Sequence, residues 1–414
     1  MKGQPRFPLP MPFAGFAFAA LCALAMIASQ TARAQTYTVI HTFSGPDGVA
    51  PTSTLVQDRA GSFYGTTEDG GPYSGVLFRL RRAGAGWTAA PLVYFGPLSF
   101  GIQPLNYGGL TFGRDGALYG TAFYGGLEDC GQNDNAYCGV VFRARPTATA
   151  CTTALCAWDY TLMYAFTNIA NPEGSVVFDA AGNLYGTTES GGIYEISPSG
   201  GGWTESTIYQ LNGNTSAGMV FDSAGNLYGV WSQGTGGQTN GGVFELSPSA
   251  SGWTETVLYS FTGGSDGSTP LGGLVFDSAG NLYGSTSNGG ARGGGTIFEL
   301  SPSGSQWTFN LLCSLPGSNM SGPQSALTMD SQGNLYGTTY RGGMHGGGSV
   351  FKATRTGTNF VCSDLYAFQQ GSGGVFPVAG VTLDSQGNLY GTTSNGGNYN
   401  ACGIGCGVAW KITP

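Results

Sequence analysis

The sequence predicts an all-β fold, a seven-bladed β-propeller of four-stranded antiparallel blades closed by its own N-terminal strand. Three observations lead there. One motif returns seven times, each return carries the material for four short strands, and the two chain ends are out of phase with the repeat so that together they complete one unit.

The motif is clearest at Val275-Phe276-Asp277-Ser278-Ala279-Gly280-Asn281-Leu282-Tyr283-Gly284. It recurs around Tyr64, Tyr119, Tyr185, Tyr228, Tyr336 and Tyr390, with tyrosine spacings of 55, 66, 43, 55, 53 and 54 residues. In most versions an apolar strand leads into an Asp-x-x-Gly-Asn turn and a strand that opens Leu-Tyr-Gly. The Asp is expected to accept hydrogen bonds from backbone N–H groups two and three residues on, and the Gly to supply the positive φ that closes a hairpin. Composition agrees with an ordered β core. Glycine is 74 of 414 residues and charged residues are 9 %, yet 41 % are hydrophobic, among them 24 Phe and 21 Tyr. Apolar runs that recur between glycine turns separate this chain from disordered and collagenous sequences.

The first element is a targeting segment. Lys2 and Arg6 precede an apolar run from Phe13 to Ile27, and Ala32-Arg33-Ala34 offers a small-residue cleavage site. Residues 1–34 are thus expected to be removed before Gln35, leaving residues 35–414 as a single soluble, exported domain without a membrane span. Loss of Lys2, Arg6 and Arg33 makes the net charge −11, which argues against nucleic acid and anionic membranes as partners. Eight cysteines remain, an even number that suits disulfides in an oxidising compartment.

Next comes Tyr37-Thr38-Val39-Ile40-His41-Thr42-Phe43, which matches the fourth strand of a unit such as Thr256-Val257-Leu258-Tyr259-Ser260-Phe261. A complete unit runs from Gly273 to Leu315. Strand a is Leu274 to Asp277, strand b Asn281 to Thr286 and strand c Thr296 to Leu300, stopped by Ser301-Pro302. Strand d is Trp307 to Leu315. The second unit departs most, with Gly113 in the Asp column and Ala117 in the Asn column, its hairpin resting on Asp115-Gly116. The third is shortest between b and c. The chain closes on Val408-Ala409-Trp410-Lys411-Ile412, a third strand without a fourth. Residues 36–43 are therefore expected to pair with 408–412 and close the ring, removing two exposed strand edges.

The recurring Gly-Gly-Leu-Val-Phe-Asp-Ser-Ala-Gly-Asn-Leu-Tyr-Gly, Val-Phe-Glu-Leu-Ser-Pro and Trp-Thr-Glu-x-x-Leu-Tyr-x-Phe segments resemble the GloVer tandem repeat, named for Gloeobacter and Verrucomicrobia. The resemblance covers residues 36–414. It implies a bacterial secreted or surface protein and no particular activity. Many such proteins carry a C-terminal sorting anchor; none is expected after the last strand here, which bears on whether the chain is held at a surface.

In this topology the d–a and b–c connections share one face. The a–b turns are near copies and read as scaffold, since one carboxylate per turn is few for calcium. The b–c tips vary instead: Glu68-Asp69, Phe123-Tyr124, Glu189-Ser190, Ser232-Gln233, Ser287-Asn288, Tyr340-Arg341 and Ser394-Asn395. Variable loops on a rigid scaffold are where binding residues sit. Phe123, Tyr124, Trp231 and Tyr340 suit stacking on a sugar or gripping a partner chain, Asn288 and Asn395 suit hydroxyl recognition, and Arg341 and His345 suit an anion. The same positions also fit plain solvated loop tips. Catalysis has thinner support: His41 falls in a packed outer-strand column, and no nucleophile elbow, phosphate loop or paired-histidine metal motif occurs. Glu68, Asp69 and Glu189 form the acidic sector a polysaccharide hydrolase or lyase would use. Binding of carbohydrate or an extracellular protein without catalysis is the leading expectation, a purely structural envelope module a third. No cofactor or metal is implied, and the ring is expected to be a monomer. Local disulfides are expected for Cys130/Cys138, Cys151/Cys156 and Cys402/Cys406, whereas Cys313 and Cys362 stay open.

Overall fold

The structure, a computed structural model, describes residue 3 and residues 35–72, 74–96, 109–126, 138–147, 158–167, 170–234, 240–304, 306–317 and 322–413. The chain divides into a unit of Tyr37–Thr413, the propeller, and one of Met1–Thr36 with Pro414, in which residues 3, 35 and 36 alone are described.

The fifth blade shows how the motif builds a sheet. Its strands are Val275–Phe276 (a), Leu282–Thr286 (b), Gly293–Ser303 (c) and Gln306–Pro316 (d), hydrogen-bonded in that order. The Asp277 N–H donates to the Asn281 carbonyl at 3.0 Å, and Gly280 takes φ 85° to turn the chain. One Asp277 oxygen accepts from the N–H groups of Ala279 and Asn281 at 2.8 and 2.9 Å. The other accepts from the Asn281 amide at 2.8 Å and the Tyr283 hydroxyl at 3.1 Å. The backbone donors are thus two and four residues on, not two and three, because Asn281, the last residue before strand b, closes the turn back onto Asp277. Burial pushes the Asp277 carboxyl up, but these four donors hold it below the usual carboxylate range. The tyrosine–Asp bond recurs in every blade, from Tyr64, Tyr185, Tyr228, Tyr336 and Tyr390 to the turn Asp and, in the second blade, from Tyr119 to Asp115. Gly113 leaves its own column empty there. Asp115 and Arg143 supply the missing charge and donor, and the hairpin is kept by the Gly113 N–H to Ala117 carbonyl bond at 2.9 Å.

The glycine after the motif tyrosine has one job in all seven blades. Gly284 lies opposite Phe298 on strand c, and a Cβ would fall 2.4 Å from the Phe298 ring. The same pairing joins Gly65 to Phe78, Gly120 to Phe142, Gly186 to Tyr194, Gly229 to Phe244, Gly337 to Phe351 and Gly391 to Trp410. An aromatic ring thus lies over the glycine and restores the packing that glycine alone would lose. Strands c and d also run past the expected stop at Ser301-Pro302, with Pro302 opposite Trp307. Proline is tolerated because strand b pairs only as far as Leu300, so the missing N–H has no ladder to break on that side.

Seven apolar clusters, each shared by two successive blades, form the core among the described residues. The cluster between the last blade and the first holds Phe63 and Tyr390, rings 4.2 Å apart, so the circle is closed. Strand Thr36–Thr42 pairs with Val408–Thr413 and completes the last sheet. Tyr37 stacks on Tyr366 at 3.9 Å and donates its hydroxyl to the Gly373 carbonyl, while Phe43 is wholly buried. His41, packed in that strand, lies 2.7 Å from Asp47, repeating the contact of Tyr259, on the outer strand of the fourth blade, with Asp266.

Cys402–Cys406 forms the expected local bridge, and Cys313–Cys362 joins the outer strands of the fifth and sixth blades. Cys138 is disulfide-bonded. Cys130, Cys151 and Cys156 lie outside the described residues. Among the described residues no helix is long and apolar enough to cross a membrane.

Candidate functional site

The d–a and b–c connections meet in a cavity of about 720 Å³ at one mouth of the ring. Two local devices shape its wall. In the d–a connections Ala50, Asn171, Thr269 and Phe376 each take positive φ immediately before a proline. Their N–H groups reach back to the preceding blade, as Ala50 to the Cys406 carbonyl at 3.0 Å and Phe376 to the Gly347 carbonyl at 2.8 Å. Non-glycine residues held in this region cost free energy, and over-determined positions of this kind collect at clefts. The second device is pairing of the b–c tips to the same segments, Val49 with Asp69 and Val375 with Asn395. Together they fix the residue after each proline in the wall: Thr52, Glu173, Gln324 and Val378.

Six of the residues singled out in the sequence line this cavity: Glu68, Asp69, Phe123, Tyr124, Tyr340 and Asn395. Phe123 and Tyr124 stand edge to face at 4.8 Å, and Tyr124 is exposed. Burial, with Asp69 beside it, pushes the Glu68 carboxyl above its ordinary value. The others lie elsewhere. Trp231 is half-buried against Phe244 in the core between the third and fourth blades. The Asn288 amide donates to the Thr269 hydroxyl at 3.2 Å. Arg341 lies over the Tyr340 and Phe376 rings at 5.3 and 5.5 Å, and His345 is exposed on its own loop. Glu189 is exposed and accepts from the Asn171 amide at 3.2 Å.

Glu173 was not singled out from the sequence. It is 7 % exposed, and its Oε2 is buried with no hydrogen-bond partner. Burial, with Glu189 adding to it and the Ser216 hydroxyl opposing, raises its carboxyl to about 7. The residue-after-proline column was the available signal, since it varies in charge and size while the proline repeats. The described lining carries three carboxylates, three aromatic rings and no Lys, Arg or His. Among the described residues no group of three His, Cys, Asp or Glu side chains is arranged to hold a metal ion.

Fold and mouth define the class: a seven-bladed β-propeller with an acidic, aromatic-walled cavity at one end of the ring. The chain belongs to the Gloeobacter/Verrucomicrobia repeat family, whose model matches residues 25–192 and 214–414. No curated protein matches it in sequence. Among solved structures it is similar to selenomethionine-substituted virginiamycin B lyase from Staphylococcus aureus, at 14 % identity and a TM-score of 0.56. That match covers 92 % of this chain and 99 % of the lyase. It is also similar to PorZ, a bacterial surface component of the type-IX secretion system of Porphyromonas gingivalis, at 14 % identity and a TM-score of 0.51. Here 91 % of this chain and 48 % of PorZ are covered. At these identities the likeness is one of fold.

Proposed function

We propose that this is an exported propeller, freed of residues 1–34, that binds a saccharide in the cavity between its d–a and b–c connections. The observation that carries the reading is the meeting of the Phe123, Tyr124 and Tyr340 rings with the acceptor side chains of Asp69, Gln324 and Asn395 in one concave wall. Aromatic faces cover the C–H faces of a pyranose, and fixed carboxylates and amides accept its hydroxyl donors. The ring gives those loops a rigid base, so little ordering is required on binding. The test is a glycan array followed by calorimetry on the best ligand. Tyr124→Ala is expected to weaken binding at least tenfold; an array without a single bound saccharide overturns the reading.

A polysaccharide-cleaving activity is the second reading. It is favoured by Glu173, a buried carboxyl raised to about 7, where a group can act as a general acid near neutral pH. Release of new chain ends from a polysaccharide panel, lost in both Glu68→Gln and Glu173→Gln, would establish it.

A further inference from the structure

Resting on the saccharide reading, we propose that the ligand is an amino sugar with a free, protonated amine, whose ammonium group sits on Glu173. Four observations lead there. Glu173 is 7 % exposed in the cavity wall, and its Oε2 has no donor. A buried acceptor without a partner is costly, and native structures keep one where something else completes it. Charge is the second. The described wall holds Glu68, Asp69 and Glu173 and no cationic side chain, so a uronic acid or sulfated sugar would meet like charge at close range. Aromatics are the third: Phe123, Tyr124 and Tyr340 attract a cation to their faces as well as covering a sugar ring. Arg341 is the fourth. It already lies over Tyr340 and Phe376, and it is not part of the wall beside Glu173.

A neutral N-acetyl sugar satisfies fewer of these demands. Its amide N–H is one uncharged donor, and its acyl group brings a further acceptor toward three carboxylates. An ammonium brings three donors and the compensating charge, and hydrogen bonds between ionised groups are about twice as strong as neutral ones.

The groups facing Glu173 are Glu189 from the b–c tip that follows Leu184–Thr188 and the Ser216 hydroxyl from the next d–a connection, and the same cavity wall also carries Glu68 and Asp69. The carboxyl is raised to about 7, so near neutrality a proton occupies much of the free site. Arrival of an ammonium lowers that affinity for protons and expels the proton to solvent. Binding therefore releases protons below pH 7, and affinity rises from pH 5 toward pH 7 as long as the sugar amine stays charged.

The experiment titrates the full chain with a β-1,4-glucosamine tetramer and with its fully N-acetylated counterpart, by calorimetry at pH 5.5, where the sugar amines are charged before binding, in two buffers of different ionisation enthalpy. The free-amine tetramer is expected to bind at least tenfold tighter and to release protons. Glu173→Gln should bring the two ligands within about threefold and abolish the proton release, a readout that a merely structural role would not move. Equal affinities in the unaltered chain overturn the amine inference and leave saccharide binding standing. No binding of either tetramer, or equal binding of a lysine tetrapeptide, overturns the amino-sugar assignment altogether.

Discussion

Glu173 stores a cost that pH exposes. Its proton is held more tightly in the folded chain than in the unfolded one, because burial penalises the carboxylate. Stability contributed by that proton is full below the ordinary glutamate range and is lost as pH climbs toward 7. Glu173→Gln keeps shape and polarity without the charge. Its melting temperature is therefore expected to exceed that of the unaltered chain at pH 8, by the equivalent of roughly 2–3 kcal/mol, and to match it near pH 4.5. Equal pH profiles in a thermal scan would show that the carboxyl titrates alike in the folded and unfolded chains, and would overturn the raised value. Singly, the residues of the mouth were half legible. Glu68, Asp69, Phe123, Tyr124, Tyr340 and Asn395 stood out because they vary where the motif repeats, and they line the cavity. Glu173 did not, because it opens the strand Pro172–Phe178 directly after a d–a connection whose length differs between units. Trp231 reads as part of the b–c tip because it adjoins Ser232-Gln233, but it ends strand b and packs on Phe244. The turn Asp was read from backbone donors alone. Its bond to the tyrosine six residues on is a side-chain meeting across the hairpin, which spacing along the chain does not display.

At the scale of elements, the strand Thr36–Thr42 carries more than its length suggests. It ends beside the wholly buried Phe43, and Tyr37 stacks on Tyr366 of the sixth blade. Phe43→Ala is expected to cost about 3–5 kcal/mol, in the range of large-to-small changes in a full core, measurable by denaturant unfolding. Deletion of residues 36–43 should cost more than that and more than trimming any b–c tip; an unchanged melting temperature would deny the strand its closing role. The pairing was legible because the first and last segments match the fourth and third strands of a unit. Strand ends were less so. The Ser-Pro pair read as a stop, whereas it lies beyond the end of strand b, where a lost N–H disturbs nothing.

For the whole molecule, the seven shared clusters mean that each blade depends on both neighbours, and Cys313–Cys362 adds a covalent tie across one seam. That bridge closes a 49-residue loop, so replacing both cysteines by serine is expected to destabilise the chain by roughly 2–4 kcal/mol, and reductant should shift its unfolding midpoint likewise. Blade number and circular order were readable from period and phase. This bridge was not, since register between neighbouring outer strands depends on how blades twist against each other. Joining residue 37 to residue 373 also sets the order of assembly. Such a tie between distant positions forms only after every intervening wedge has folded, so the six self-contained blades can arise locally while the shared one must come last. Until then the nascent disc is a horseshoe with two raw borders, open to swapping its leading ribbon with another copy. Dilution during refolding is what should favour the closed form.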